Sequence, residues 1–209
     1  MKKLLTLIVL SVCVLSIYAQ FNGTIHFKKI KDGVESEFTY YVKDDKVRVE
    51  EKDSQGNVKG IMLVDLTKES VIAISPQRKL YMDATNKRVQ QPVKPKIEKT
   101  KNHKKIAGYD CVQWNAYYPQ EDAEITYWVT EDRSFDFFDD LLRVLNRKDK
   151  IARYFLTAKD IEGCFTMEGI EKSLTDGSEK MKLTVTSVKK EDLDDSLFEV
   201  PDGYQKFEK

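Results

Sequence analysis

The sequence predicts a mainly β domain with one or two helices (α+β), its strands antiparallel. Three observations carry this. Short apolar runs between Phe21 and Met82 are punctuated by turn residues. Residues 106–132, IAGYDCVQWNAYYPQEDAEITYWVTED, read as two strands joined by a polar turn, and they hold both tryptophans, Trp114 and Trp128. The clearest helical spacing lies in residues 134–146, directly after that hairpin.

The chain opens with Lys2 and Lys3, an apolar run from Leu4 to Ile17, and Ala19 before Gln20. The run is shorter than the roughly 20 residues of a membrane span, so residues 1–19 read as a cleaved secretory signal peptide and no transmembrane segment is expected in the mature chain. A lipoprotein anchor at Cys13 is disfavoured, because Val12 precedes it where a small residue belongs. Residues 20–209 then suit one domain with a sizeable core. Removing Lys2 and Lys3 takes the 35 Lys+Arg to 33 against 35 Asp+Glu, a balance without general attraction to nucleic acid. With 33% charged residues and a mean hydropathy of −0.52, the exterior is wet.

In the first strand, Phe21, Gly23, Ile25 and Phe27 alternate with polar residues. Asp32-Gly33 turns the chain into a strand marked by Phe38, Tyr40 and Val42. Val47 and Val49 follow after Asp44-Asp45, and residues 61–64 and 71–74 form two further apolar runs. Leu80, Tyr81 and Met82 end this meander. Residues 85–105 are lysine-rich and hold Pro92 and Pro95, which predicts an exposed crossing that becomes an edge strand from about Ile97.

In the central hairpin Val112, Trp114, Ala116 and Tyr118 share one face, and Ile125, Tyr127 and Val129 form the more apolar face of the partner strand. In the helix, Phe135, Phe138, Leu141, Leu142 and Leu145 make the apolar stripe. Ser134 is the expected N-cap, with Asp139 and Asp140 on a solvated face. Residues 151–156 suit a short helix or a connector. Residues 164–170 and 181–188 flank the turn signal Thr175-Asp-Gly177, and Leu197, Phe198 and Val200 are expected to tack the terminus onto the core.

No catalytic residues and no metal ligands are assigned. His26 and His103 are the two histidines, and HExxH, CxxC, GxSxG and glycine-rich phosphate loops are all missing from the sequence. No cofactor is implied. Without Cys13 two cysteines remain, Cys111 and Cys164, and export to an oxidising compartment favours a disulfide between them, with two buried thiols as the alternative. A bridge would close a loop of about fifty residues and contribute up to roughly 4 kcal/mol. The aromatics allow two readings. One is a filled core. The other is a curved sheet whose concave face, lined by Phe38, Tyr40, Trp114 and Tyr127 and covered by Phe138, Leu141 and Leu142 of the helix, holds an apolar ligand.

The segments KKIAGYDCVQW, EITYWVTED, IEGCFTMEG and DDSLFEVPDGY resemble a family of uncharacterised exported bacterial domains, itself similar to the periplasmic lipoprotein-carrier group of LolA, LolB and LppX. The resemblance runs from about Gly23 to Tyr204. It implies an antiparallel half-barrel curled around a helical plug, a periplasmic location, and a lipid or lipoprotein as partner. It implies no catalytic residue. The function expected is that of a non-enzymatic carrier of an apolar ligand, or else an envelope module with a filled core that works through a protein partner.

Overall fold

The computed structural model describes residues 20–53 and 55–208. The predicted signal peptide and Cys13 lie outside them. A first meander comprises β1 (Gly23–Lys31), β2 (Val34–Lys43), β3 (Lys46–Lys52), β4 (Val58–Asp65), β5 (Ser70–Ser75) and β6 (Leu80–Asp83). A second comprises β7 (Lys96–Ile106), β8 (Tyr109–Tyr118), β9 (Ala123–Thr130), β10 (Phe165–Lys172) and β11 (Glu179–Lys190). The two-residue β12 (Gln205–Lys206) lies parallel to β6. Together they form one curled, open sheet in the order β12-β6-β5-β4-β3-β2-β1-β11-β10-β9-β8-β7. Among the described residues, the β1–β11 ladder alone joins the two meanders.

That ladder brings the backbones very close at Gly23, whose φ is +148° and where a Cβ would stand 2.0 Å from the Lys189 carbonyl oxygen. Only glycine fits there. At the other end of β1, Asp32 and Gly33 both take positive φ, the two-residue turn that matches strand twist. The lysine-rich β7 forms an exposed sheet edge, as its composition predicts.

Two helices fill the concave side, α1 (Phe137–Leu145) and α2 (Lys150–Phe155), both inserted between β9 and β10. Residues 151–155 are therefore helical and Leu156 ends the helix, with the Asp149 carboxylate accepting from the Ala152 N–H at 3.0 Å as its N-cap. Two expectations for α1 are corrected. Ser134 is not its cap: it lies in a 3-10 turn, donates its own N–H to Asp132, and keeps its hydroxyl buried. Asp139 is not solvated. It is buried and accepts from the Gly163 N–H at 2.6 Å, which ties α1 to the loop before β10. Burial raises its pKa.

The core is aromatic where helices meet sheet. Phe135 stacks between Phe21 (5.0 Å) and Phe165 (4.7 Å), and Phe138 stands 4.6 Å from Phe165. A second, smaller cluster of Ile61, Leu63 and Ile74 is covered by Val200 and Tyr204 of the C-terminal tail. Arg48 adds a bond to the Leu197 carbonyl at 2.9 Å, which holds that tail in place.

The expected Cys111–Cys164 disulfide is not formed; both are buried free thiols. Pairing explains this. Cys111 lies on β8, Cys164 directly precedes β10, and β9 runs between them. Two strand spacings put their backbones about 9–10 Å apart, beyond the roughly 7 Å a disulfide spans. Burial pushes the Cys111 thiol up to about 11 and raises that of Cys164 as well, so neither is a reactive thiolate near neutral pH. Alkylation after unfolding without reductant should therefore label both cysteines, while the folded protein labels slowly. A cross-linked peptide pair in the non-reduced digest would contradict this arrangement.

Candidate functional site

On β1 the period-two rule carries Lys29 and Lys31 onto the same face as Ile25 and Phe27. Across the ladder Leu183 faces Lys29 and Met181 faces Lys31, while on the other side Phe27 pairs with Phe38 and Ile25 with Tyr40. The seam between the meanders thus presents an apolar floor that becomes cationic toward one end. Phe138 and Leu142, one turn apart on α1, descend onto it, joined by Ile151, Ala152 and Phe155 from α2. Between floor and helices lies a cavity of about 140 Å³.

Its electrostatics are one-sided. Lys29 Nζ sits 4.5 Å from the centre of the Phe38 ring, and Arg147 pairs with Asp149 at 3.2 Å. Burial lowers the Lys29 pKa; Glu51 opposes the shift, and Arg147 and Lys31 reinforce it. Burial raises that of Tyr40, against the pull of the Arg147 guanidinium. Thr166 also lines the cavity, and its hydroxyl is buried with no hydrogen-bond partner among the described residues.

Of the residues singled out in the sequence, Phe38, Tyr40, Phe138 and Leu142 line this cavity. Tyr127, Leu141 and Trp114 do not. Tyr127 is the seat of α2: its hydroxyl donates to the Ile151 carbonyl at 2.7 Å in the buried interior. Leu141 is fully buried in the helix–sheet core. Trp114 pairs with Tyr127 but lies toward the β7 edge, under Lys99 at 5.4 Å. Sequence reasoning missed Phe27, although it shares the alternation of Ile25. It also missed Ile151, Ala152 and Phe155, whose spacing after Asp149 is a readable helix signal. Lys29, Lys31 and Arg147 carried no signal of their own.

His26 and His103 stand apart, on β1 and β7, with four strands between them; His26 Nδ1 lies 3.1 Å from the Thr39 hydroxyl and His103 is exposed. Among the described residues, no three His, Cys, Asp or Glu side chains are grouped to share a metal ion, and no helix is long and apolar enough to cross a membrane.

The seating of α2 depends on Gly169, which faces Tyr127 across the ladder. A Cβ there would stand 2.9 Å from Cγ2 and 3.3 Å from Cδ1 of Ile151. Gly169→Ala should lower stability by about 1–3 kcal/mol by overpacking, and Tyr127→Phe by about 1 kcal/mol through the lost hydrogen bond. Denaturant melts of the two variants check both values.

The chain matches one family model, Domain of unknown function (DUF4412), over residues 21–204. No curated protein matches it by sequence. Among solved structures, PNGF-II in its P21 space group is similar at 14% identity and a TM-score of 0.50, covering 90% of this chain and 32% of that one. This chain thus spans about a third of that protein. An uncharacterized conserved protein from Thermus thermophilus is similar at 9% identity and a TM-score of 0.53, covering 89% of this chain and 90% of that one. These two likenesses are of fold alone. A LolA superfamily protein from Nitrosomonas europaea, at 11% identity, covers 88% of this chain and 91% of its own, but its TM-score of 0.36 carries no argument. The family match spans nearly all of the described chain, and on it this protein belongs to the DUF4412 family, a domain of unknown function.

Proposed function

We propose that this domain is a non-enzymatic periplasmic carrier of an apolar ligand, a lipid or the acyl chain of a lipoprotein. The observation that carries this reading is the cavity at the seam between sheet and helices. It has an aromatic and aliphatic lining, the unpartnered Thr166 hydroxyl in its wall, and cations at its rim. Burying a chain there releases about 0.8 kcal/mol for each methylene taken out of water. At about 140 Å³ the cavity is close to the ~150 Å³ engineered void that accepts benzene, and smaller than the ~300 Å³ at which drug-sized sites begin. It seats one ring or a short run of chain. A longer ligand requires α1 to lift, and α1 is attached to the sheet by side-chain packing and not by strand pairing.

The small volume also favours a second reading, an envelope interaction module whose core is filled and whose function lies on its surface. Ala152→Leu separates the two. Ala152 lines the cavity, and three more buried carbons should add up to about 2 kcal/mol of stability if they fill it without strain. For a carrier, the wild type binds dodecanoate saturably by calorimetry, the ligand slows hydrogen exchange in α1, and the variant loses at least tenfold in affinity while melting no lower. For a filled module the wild type shows no saturable binding, and α1 amides exchange as slowly as those of β9 with or without dodecanoate. That result would end the carrier reading.

A further inference from the structure

A second and larger cavity, of about 670 Å³, lies beside the first. Its roof is the crossing segment 84–95, between β6 and β7, and its floor is formed by α1, α2 and the connection between them. The two cavities meet at Leu142 and Arg147, each of which lines both. In character they are opposite. The first is apolar, whereas the second is bordered by Lys87, Arg88, Arg143, Arg147 and Arg153, against the carboxylates of Glu69 and Asp140. Arg153 is committed to Glu121 by two bonds of 3.0 and 3.2 Å, and Arg147 to Asp149. Lys87, Arg88 and Arg143 are exposed and form no ion pair among the described residues. Lys29 and Lys31, on the far side of the apolar cavity, form none either. In a chain with 35 basic and 35 acidic residues, this is a local excess of positive charge around one continuous pair of cavities.

The roof is fastened to the helix that covers the apolar cavity. Asn146, the left-handed residue ending α1, donates from Nδ2 to the carbonyls of Asn86 (2.8 Å) and Arg88 (2.9 Å). Gln90 returns bonds to Asn146 Oδ1 and to the Arg147 carbonyl. A movement of α1 that opens the apolar cavity therefore also moves the roof of the basic one.

We infer that the ligand is an anionic amphiphile, with its acyl chain in the apolar cavity and a phosphate-bearing headgroup in the basic cavity under segment 84–95. This rests on the carrier reading above and names its ligand class. Neighbouring cations that lack acidic partners suit the several oxygens of a phosphate, which guanidinium groups bind in a fork. A neutral lipid would leave that charge uncompensated.

The test uses the full mature chain and two lysophospholipids of identical acyl chain, lysophosphatidylglycerol and lysophosphatidylcholine, below their micellar concentrations, with inorganic phosphate as a third probe. Titration calorimetry should show the anionic lipid binding at least tenfold more tightly than the zwitterionic one, and the ratio should shrink as salt rises. The exposed pair R88Q/R143Q should reduce that preference to about twofold or less without lowering the melting temperature. Lys87→Gln, alone and with the pair, gives a second series in which the preference should fall stepwise with the charge removed. Equal affinity for the two lipids would leave the carrier standing and overturn the headgroup assignment. Phosphate binding as tightly as the anionic lipid would assign the basic cavity to a free anion and overturn it also. If neither lipid binds, the carrier reading fails and this inference falls with it.

Discussion

Everything in this molecule depends on the antiparallel ladder between β1 and β11. Each meander is built from neighbours in sequence, joined by short turns except where α1 and α2 are inserted between β9 and β10. The ladder instead pairs residues near position 25 with residues near 188, and it makes two small sheets into one. The close approach at Gly23 marks its tightest point. Because the ladder exists, Phe27 and Tyr40 of the first meander share a concave face with Phe165 and Met181 of the second. Neither half alone presents a surface on which α1 and α2 could both be buried.

The helices are held by contacts of differing strength, and the difference bears on function. Tyr127, Gly169 and Ile151 seat α2 by a buried hydrogen bond and a close backbone approach. The bidentate Arg153–Glu121 pair and the Tyr154 hydroxyl donating to Glu121 at 2.8 Å reinforce it from the β8–β9 turn. For α1 the ties are edge-on and tilted aromatic contacts of Phe138, the Asp139–Gly163 bond and the Asn146 hub that reaches the crossing segment. The cavity lies between these two helices and the seam. A ligand that enlarges it is expected to displace α1, whose hydrogen bonds among the described residues run to loops and not to the sheet, and to carry the crossing segment with it.

Much of the fold was legible from local rules. Alternation in residues 21–49, paired apolar faces around Trp114 and Tyr127, and lysines along residues 96–105 each reflect how a strand divides its side chains between two environments. Four of the fifteen residues that line the cavity were legible for the same reason: Phe38 and Tyr40 share a strand face, and Phe138 and Leu142 share a helix stripe. The others arrive from β1, β10, β11, α2 and the connection between the helices. An amphipathic period says that a residue is covered; it does not say by what.

The strand segments, their turns, the α1 stripe and the polarity of the edge strand are all readable in the order of residues, because they follow from chain geometry and from the free energy of burying apolar side chains. Three things were decided only by tertiary structure. The cysteines do not meet, since strand order places β9 between them and no spacing in the chain encodes that order. Asp139 is buried because the loop at Gly163 folds back over a helix face that reads as solvated. The seven cations around the two cavities come from β1, segment 84–95, α1, α2 and the connection between the helices. Their shared surroundings exist only because the fold brings these distant pieces of chain to two adjoining cavities.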